Sequence, residues 1–237
     1  MRRINVVHLG EGTWGWEKWS KPVLCPLASW GTINLTLVDD HEETPPEIAA
    51  LAQEGIVTYL PWNRCLQSQE CQRWEVAFVI TPADSQAMIC RALLEAALRL
   101  RKIVLEKPGG STPEEIAEVD EAAEARGVEM IWCDHYLLRP PIQFLISEGK
   151  DLLHSLGPIQ RISGAILERK ADGPRIASVV PDVVIHLLNL CRVIFPDSHF
   201  VPKSAELRRA KNAENYRRDT YAFVVGEYVT PFGVVIP

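Results

Sequence analysis

The chain has no apolar run long enough to cross a bilayer, no surplus of basic residues and no paired cysteines. Each absence removes a class of function. A membrane-spanning helix needs about 20 apolar residues in succession, so no membrane protein is expected. Acidic residues outnumber basic ones by 31 to 25, for a net charge of -6, which excludes a general nucleic-acid binder working through a basic face. The six cysteines, at positions 25, 65, 71, 90, 133 and 191, form no Cys-x-x-Cys pair. They read as reduced thiols rather than a disulfide framework or zinc ligands, and no metal site is expected. Met1-Arg2-Arg3 leads straight into a short strand instead of a signal-peptide core, so the expectation is a cytoplasmic protein. With 47% apolar and 24% charged residues over 237 positions, the chain can bury the core of one large domain or two modest ones.

What is present centres on Ile103-Val104-Leu105-Glu106-Lys107-Pro108-Gly109-Gly110, an apolar strand that ends in a charged pair, a proline and two glycines. Buried parallel strands read this way, and ligands of open α/β sheets sit beyond their carboxyl ends. Lys107 is then placed where chemistry happens, although Glu106 and Lys107 also fit the polar start of an ordinary loop. Near the N-terminus, Ile4–Leu9 is a β-branched apolar run followed by Gly10-Glu11-Gly12-Thr13-Trp14-Gly15. This G-x-G-x-x-G, set directly after a strand, allows a tight turn, close approach of a pyrophosphate to backbone N–H groups and close helix packing. Gly10, Gly12, Thr13, Trp14 and Gly15 are therefore candidate cofactor contacts. Thr32–Val38 reads as the next strand and ends in Asp39-Asp40. A carboxylate there accepts hydrogen bonds from ribose hydroxyls and repels a 2′-phosphate, which favours NAD over NADP. A solvated acidic turn is the alternative. Trp14, Trp16, Trp19 and Trp30 crowd the first helix and read as core or interface residues.

Strands and helices then alternate, as in a doubly wound parallel sheet. Pro46–Ala52 reads as a short helix, 56–60 as a strand, 61–74 as loop with a helical turn, and 76–80 as a fourth strand ending at Thr81-Pro82. Asp84 or Ser85 would cap a helix from Ser85 to Leu100. Thr112-Pro113-Glu114-Glu115 opens a helix that runs to about Arg126 and stops at Gly127, before a strand at 128–133. Beyond 136 the pattern changes: Pro140-Pro141 opens a helix, 159–166 alternates as a strand, and Asp182–Phe195 is a helix apolar nearly all round. Asp182, His186 and Asn189 fall on one face of that helix. Such a stripe is either hydrogen-bonded in the core, with Asp182 as a helix cap, or faces a wet cleft, because an unpaired buried polar group costs about 1–3 kcal/mol.

Taken in order, Gly10-x-Gly12-x-x-Gly15, Asp39, Thr81-Pro82, Glu106-Lys107-Pro108, Arg139-x-Pro141 and Asp182-x-x-x-His186 resemble the glucose–fructose oxidoreductase / inositol 2-dehydrogenase / rhizopine-catabolism (Gfo/Idh/MocA) family over nearly the whole chain. The resemblance implies a Rossmann domain, 1–136, and a substrate and oligomerisation α+β domain with an open antiparallel sheet, 137–237. It also implies NAD(P)-dependent hydride transfer to or from a sugar, cyclitol or related carbonyl compound. Lys107 would hydrogen-bond the reacting hydroxyl near the nicotinamide, His186 would take its proton, and Asp182 would orient substrate or imidazole. Thr81, Pro82 and Glu106 would join the cofactor site, and the Lys107–Pro108 bond would be cis as in relatives.

Three departures from that pattern stand out. The histidine usual four residues after the proline of Thr81-Pro82 is Gln86. Asp134-His135-Tyr136-Leu137 echoes the sugar-phosphate site of glucose-6-phosphate dehydrogenases, which nominates His135, Tyr136, Arg139 and, from the later helix, Asn189 for substrate contact. Family members also continue past the strands expected at 204–207 and 220–225, so the second sheet is expected to keep few strands and an exposed edge, covered by a partner copy or left open in a truncated relative. The rival reading is a dinucleotide-binding sensor or subunit that kept the fold and lost part of the substrate wall.

Overall fold

The computed structural model describes residues 2–134, 137, 139–148, 185–194, 199–208, 221–229 and 235–236, and the chain divides into two compact units, Met1–Cys133 and Asp134–Pro237. In the first unit the strands are β1 (Ile4–Leu9), β2 (Ile33–Asp39), β3 (Val57–Pro61), β4 (Val76–Val79), β5 (Lys102–Glu106) and β6 (Glu129–Cys133). They form one parallel sheet in the order β3-β2-β1-β4-β5-β6. This is the Rossmann order, with its reversal between β1 and β4. The doubly wound sheet expected from the sequence is thus the one observed.

The central strands are apolar on both faces because helices cover both faces. Val7, Leu9, Ala77, Val79, Ile103 and Leu105 lie in one core cluster, while Val6, Ile33, Leu35 and Leu37 lie in another. Strands β3 and β6 are the edges of the described sheet, and Ile131 and Trp132 on β6 are exposed.

The first crossover departs from an ordinary helix. Thr13–Gly15 (α1) passes into a π-wound stretch, Trp16–Leu24, and then into Cys25–Ser29 (α2). The Cys25 N–H donates to Ser20 O, five residues back. Pro22, which has no N–H to give, sits inside the wide turns. Ser20, Leu24, Cys25 and Ala28 are buried on this segment, whereas Trp14 and Trp30 are 44% and 76% exposed. Of the two alternatives expected for the clustered tryptophans, core or interface, these two are therefore not core. Trp16 and Trp19 are half-buried, with Trp19 against Phe78. The core tryptophan is Trp74, whose indole N–H donates to Thr36 Oγ1 at 3.3 Å.

The remaining helices of this unit are α3 (Pro46–Gln53), α4 (Trp62–Cys65), α5 (Ala83–Ala96) and α6 (Pro113–Ala125). Residues 61–74, expected as loop with one helical turn, contain α4 and a 3₁₀ turn at Cys71–Arg73. Helix α5 starts before the expected Ser85 and stops before Leu100. Pro82 is its N-cap, with extended backbone and no side-chain bond, and Ser85 Oγ instead donates to Pro82 O within the first turn. At α6 the expected cap is present: Glu115 N donates to Thr112 Oγ1, and Pro113 follows at the first helical position.

The second unit contains α7 (Pro140–Ser147), α8 (Ile185–Ile194) and an antiparallel sheet in the order β7 (His199–Arg208), β8 (Tyr221–Val229), β9 (Val235–Ile236). Pro202 sits beside a register shift in β7, which is at an edge of the sheet among the described residues, where a missing N–H costs least. A side chain on Gly226 would collide with the Phe200 ring. The expected strand at 159–166 and the loop at 168–181 lie outside the described residues. Among the described residues no helix is long and apolar enough to cross a membrane.

Candidate functional site

The carboxyl ends of β1, β2 and β4 are tied together at the reversal of strand order. Gly10 N donates to Val38 O at 3.0 Å, and Ile80 N donates to Leu9 O at 2.9 Å. Gly10 has φ +101°, and a Cβ there would lie 2.5 Å from Ile80 O. A Cβ on Gly15 would lie 1.7 Å from Gly10 O, so the following helix rests directly on the loop. Gly12 is different, because a Cβ built there meets nothing within 4 Å among the described residues. The protein itself thus requires glycine at the outer two positions. Over the middle one there is open space into which a ligand could approach the backbone. Thr81 Oγ1, at the end of β4, is shielded from water and has no hydrogen-bond partner. An open cradle over Gly12 and an unsatisfied hydroxyl on the side chain packed at Gly10 fit the phosphate and sugar parts of a dinucleotide.

Asp39 closes β2 and is half-buried. Its Oδ1 accepts from Asp40 N at 2.7 Å. Burial, with the Asp40 side chain and its charge adding to it, outweighs the backbone bond and the charge of His41 and raises its pKa above the ordinary aspartate value. Tyr59 Oη donates to His41 O at 2.8 Å, bracing the turn that follows. Burial and the charges of Asp39, Asp40 and Glu11 push the Tyr59 phenol up to about 12, so it stays a donor across the physiological range.

Beneath the glycine loop lies a polar cluster that the sequence pattern did not reveal. Glu11, the middle residue of Gly-Glu-Gly, turns inward and its Oε1 meets His8 Nδ1 of β1. Ser20 Oγ of the π-wound stretch donates to the same Glu11 oxygen at 3.0 Å. Side chains of Glu11 and His8 are fully shielded from solvent. A residue between two loop glycines ordinarily reads as solvated. What could have disclosed it is the coincidence of a histidine inside an apolar strand and a serine on the buried side of the next helix.

Lys107 leaves the end of β5, and the Lys107–Pro108 bond is cis, as the resemblance implied. Glu106 before it is buried. Gln86 of α5 reaches across to this turn: Nε2 donates to Thr81 O at 2.9 Å and to Glu106 O at 3.0 Å, while Oε1 accepts from Gly109 N at 2.8 Å. Gly109 has φ +92° and packs so tightly on Trp132 that a Cβ would lie 2.1 Å from the indole.

In the second unit, His186 of α8 is buried, and its Nδ1 lies 2.7 Å from Asp134 Oδ1. Asn189, one turn on, donates from Nδ2 to Asp134 Oδ2 at 3.0 Å. The polar stripe of this helix is thus hydrogen-bonded, and both described members converge on one carboxylate. With a carboxylate facing Nδ1, an imidazole that carries its proton there has its acceptor at Nε2, which is shielded from solvent. Asp134 stands in the Asp-His-Tyr-Leu stretch, yet the sequence nominates its neighbours and not Asp134 itself. Asp182, expected to orient the imidazole, and His135 and Tyr136 lie outside the described residues. Arg139 is exposed, and its carbonyl accepts from Ile142 N and Gln143 N at the start of α7. Thr13 and Trp14 lie in the first turn after the loop, with Trp14 exposed. Pro82 is exposed at the N-cap of α5.

No protein-family model matches the chain, and no curated protein matches it. Solved structures do. The chain is similar to an oxidoreductase from Bacillus cereus, with TM-score 0.71 and 17% identity over 98% of this chain and 63% of that one. It is also similar to GenD2 from gentamicin A biosynthesis, solved in complex with NAD, with TM-score 0.69 and 18% identity over 99% of this chain and 64% of that one. A third is a super-repressor mutant of Gal80p from Saccharomyces cerevisiae, with TM-score 0.68 and 16% identity over 99% of this chain and 67% of that one. The chain therefore spans somewhat less than two thirds of the first two. At these identities the likeness establishes the fold, which is the one that the Gfo/Idh/MocA resemblance implied.

Proposed function

We propose that the chain is an oxidoreductase that moves a hydride between a nicotinamide coenzyme, NAD in preference to NADP, and a small hydroxylated or carbonyl substrate such as a sugar or cyclitol. The observation that carries this reading is the open space over Gly12, in a loop that Gly10 ties to Val38 just before Asp39, at the reversal of strand order. The B. cereus oxidoreductase and NAD-bound GenD2 structures, which share the fold, support it.

In this reading the N–H groups of Gly12 and Thr13 hold the pyrophosphate, Asp39 accepts from the adenosine ribose, and Thr81, Pro82 and Glu106 flank the nicotinamide half. The coenzyme supplies, when bound, a ring carbon that takes or returns hydride. Lys107 binds the reacting oxygen. Its ammonium stabilises the charge that grows on that oxygen as the hydride leaves. His186 accepts the hydroxyl proton at Nε2, and Asp134 holds the imidazole in the required tautomer and steadies the imidazolium that forms. Asn189 fixes Asp134 from its second oxygen, while Asp182, His135, Tyr136 and Arg139 serve the substrate. A homo-oligomer through the β7-β8-β9 sheet is part of the same proposal.

A sensor or subunit that binds the dinucleotide without turnover is the second reading, favoured by the likeness to the Gal80p super-repressor mutant. The deciding experiment is a fluorescence titration with NADH and NADPH, followed by NADH oxidation against a panel of ketoses and keto-cyclitols. Tighter NADH binding with turnover is the expected result. Binding without turnover would favour the sensor, and no binding of either nucleotide would reject both readings.

A further inference from the structure

The carboxamide of Gln86 has two N–H donors and a carbonyl acceptor, and all of them are used on backbone atoms. One N–H goes to Thr81 O at the end of β4, the other to Glu106 O at the end of β5, and the oxygen takes Gly109 N. Glu106 and Gly109 bracket Lys107-Pro108. The side chain therefore clasps the peptide group entering Lys107 and the amide leaving Pro108, and anchors both to the neighbouring strand. It does so from a position only 1% exposed, where water cannot substitute for a lost bond. On the far side, the Trp132 indole closes on Gly109.

We propose that Gln86 is a positioning residue for Lys107, holding its backbone at the sheet edge so that the ammonium is presented at a fixed point. This rests on the reading of Lys107 as the group that binds the reacting oxygen. Other side chains fit the three backbone atoms less well. A glutamate would keep an acceptor for Gly109 but turn a carboxylate oxygen towards two carbonyls. A leucine would leave all three groups unmatched. A histidine offers one donor and one acceptor on separate ring atoms, enough for the Glu106 and Gly109 bonds. The residue at this position is therefore chosen for the turn and not for the packing of α5.

The test uses the full chain with Gln86→Leu, Gln86→Glu and Gln86→His, Glu serving where Leu does not fold. The substrate-independent readouts are amide exchange at Gly109 and the rate at which the N-hydroxysuccinimide ester of acetic acid acylates Lys107, mapped by mass spectrometry. Leu or Glu should speed Gly109 exchange by roughly tenfold or more and change Lys107 acylation, and His should restore both towards wild type. On turnover, Gln86→Leu should lower kcat, and adding Lys107→Ala should cost no more than Lys107→Ala alone, as for residues acting as one unit. Unchanged Gly109 exchange and Lys107 acylation, or losses that multiply in the double variant, would overturn the proposal. A wild-type chain that neither binds NADH nor oxidises it would sink the functional reading instead, and the exchange and acylation results would still decide the clasp.

Discussion

Asp134 and His186, 52 residues apart, meet through a 2.7 Å bond from imidazole Nδ1 to carboxylate Oδ1 inside the second unit. A buried carboxylate opposite one ring nitrogen fixes the tautomer and the orientation of the ring, two properties that a proton acceptor needs. Asp134→Asn should therefore lower kcat by about 10²- to 10⁴-fold while leaving NADH binding intact, and His186→Ala should do the same. Asn189→Ala, which removes only the bond to the second oxygen, should cost about tenfold or less. Steady-state kinetics beside an NADH titration checks the series, and an Asp134→Asn variant with full turnover would remove His186 from the proton path.

The three loop glycines should separate stability from binding. Alanine at Gly15 places a methyl group 1.7 Å from Gly10 O, and alanine at Gly10 combines a 2.5 Å approach to Ile80 O with a positive φ. Both should lower the melting temperature sharply, on the order of 3 kcal/mol or more. Alanine at Gly12 meets no atom of the described residues, so its melting curve should match wild type while NADH affinity falls by about tenfold or more, some 1.4 kcal/mol. Equal effects on melting at positions 12 and 15 would contradict the division of labour.

Stability against acid should depend on Glu75, just before β4. Burial alone would raise its pKa, but hydrogen bonds from Asn5 N and Nδ2 and the charge of Arg2 outweigh that and hold the carboxyl below its ordinary value. A depressed pKa contributes stability that is complete above the unfolded value of 4.5 and is lost as pH falls through the native one. Arg2 is largely exposed, so most of the effect belongs to the Asn5 bonds. Glu75→Gln should lower stability at pH 7 by roughly 1–2 kcal/mol and flatten the loss seen between pH 5 and 3. Thermal melts across that range test it, and parallel curves for the two proteins would refute it.

The sheet was legible because its central strands are buried on both faces, and runs such as Ile4–Leu9 and Ile103–Leu105 leave little other use for so many β-branched residues. Gly10, Asp39 and Lys107 were legible because each stands at a strand end, a position that sequence order alone marks. Asp134 was not, since nothing local distinguishes a carboxylate whose partners lie on a helix 52 and 55 residues further on. Glu11 was hidden for the opposite reason: its neighbours Gly10 and Gly12 announce a loop, and loops are read as wet. The π-wound turn at Trp16–Leu24 escaped because apolar spacing is judged against 3.6 residues per turn, and a wider helix carries Ser20 and Leu24 inward while Val23 stays exposed.

Nucleotide choice should change with pH through Asp39. Only the ionised carboxylate both accepts from ribose hydroxyls and repels a 2′-phosphate. Burial, reinforced by Asp40, raises the pKa of Asp39 from the ordinary 3.8, so its charge disappears at a higher pH than in a solvated aspartate. Preference for NADH over NADPH should be greatest near pH 8 and decline as pH falls through that raised value. For folding the sign is reversed from Glu75: a raised carboxyl pKa favours the native state when protonated, so ionisation costs stability as pH rises. Asp39→Asn should accordingly melt no lower than wild type at pH 8 and bind NADPH about tenfold or more tightly than wild type does. Paired NADH and NADPH titrations from pH 5 to pH 8.5 decide the matter. An Asp39→Asn variant that still excludes NADPH would place the discrimination elsewhere.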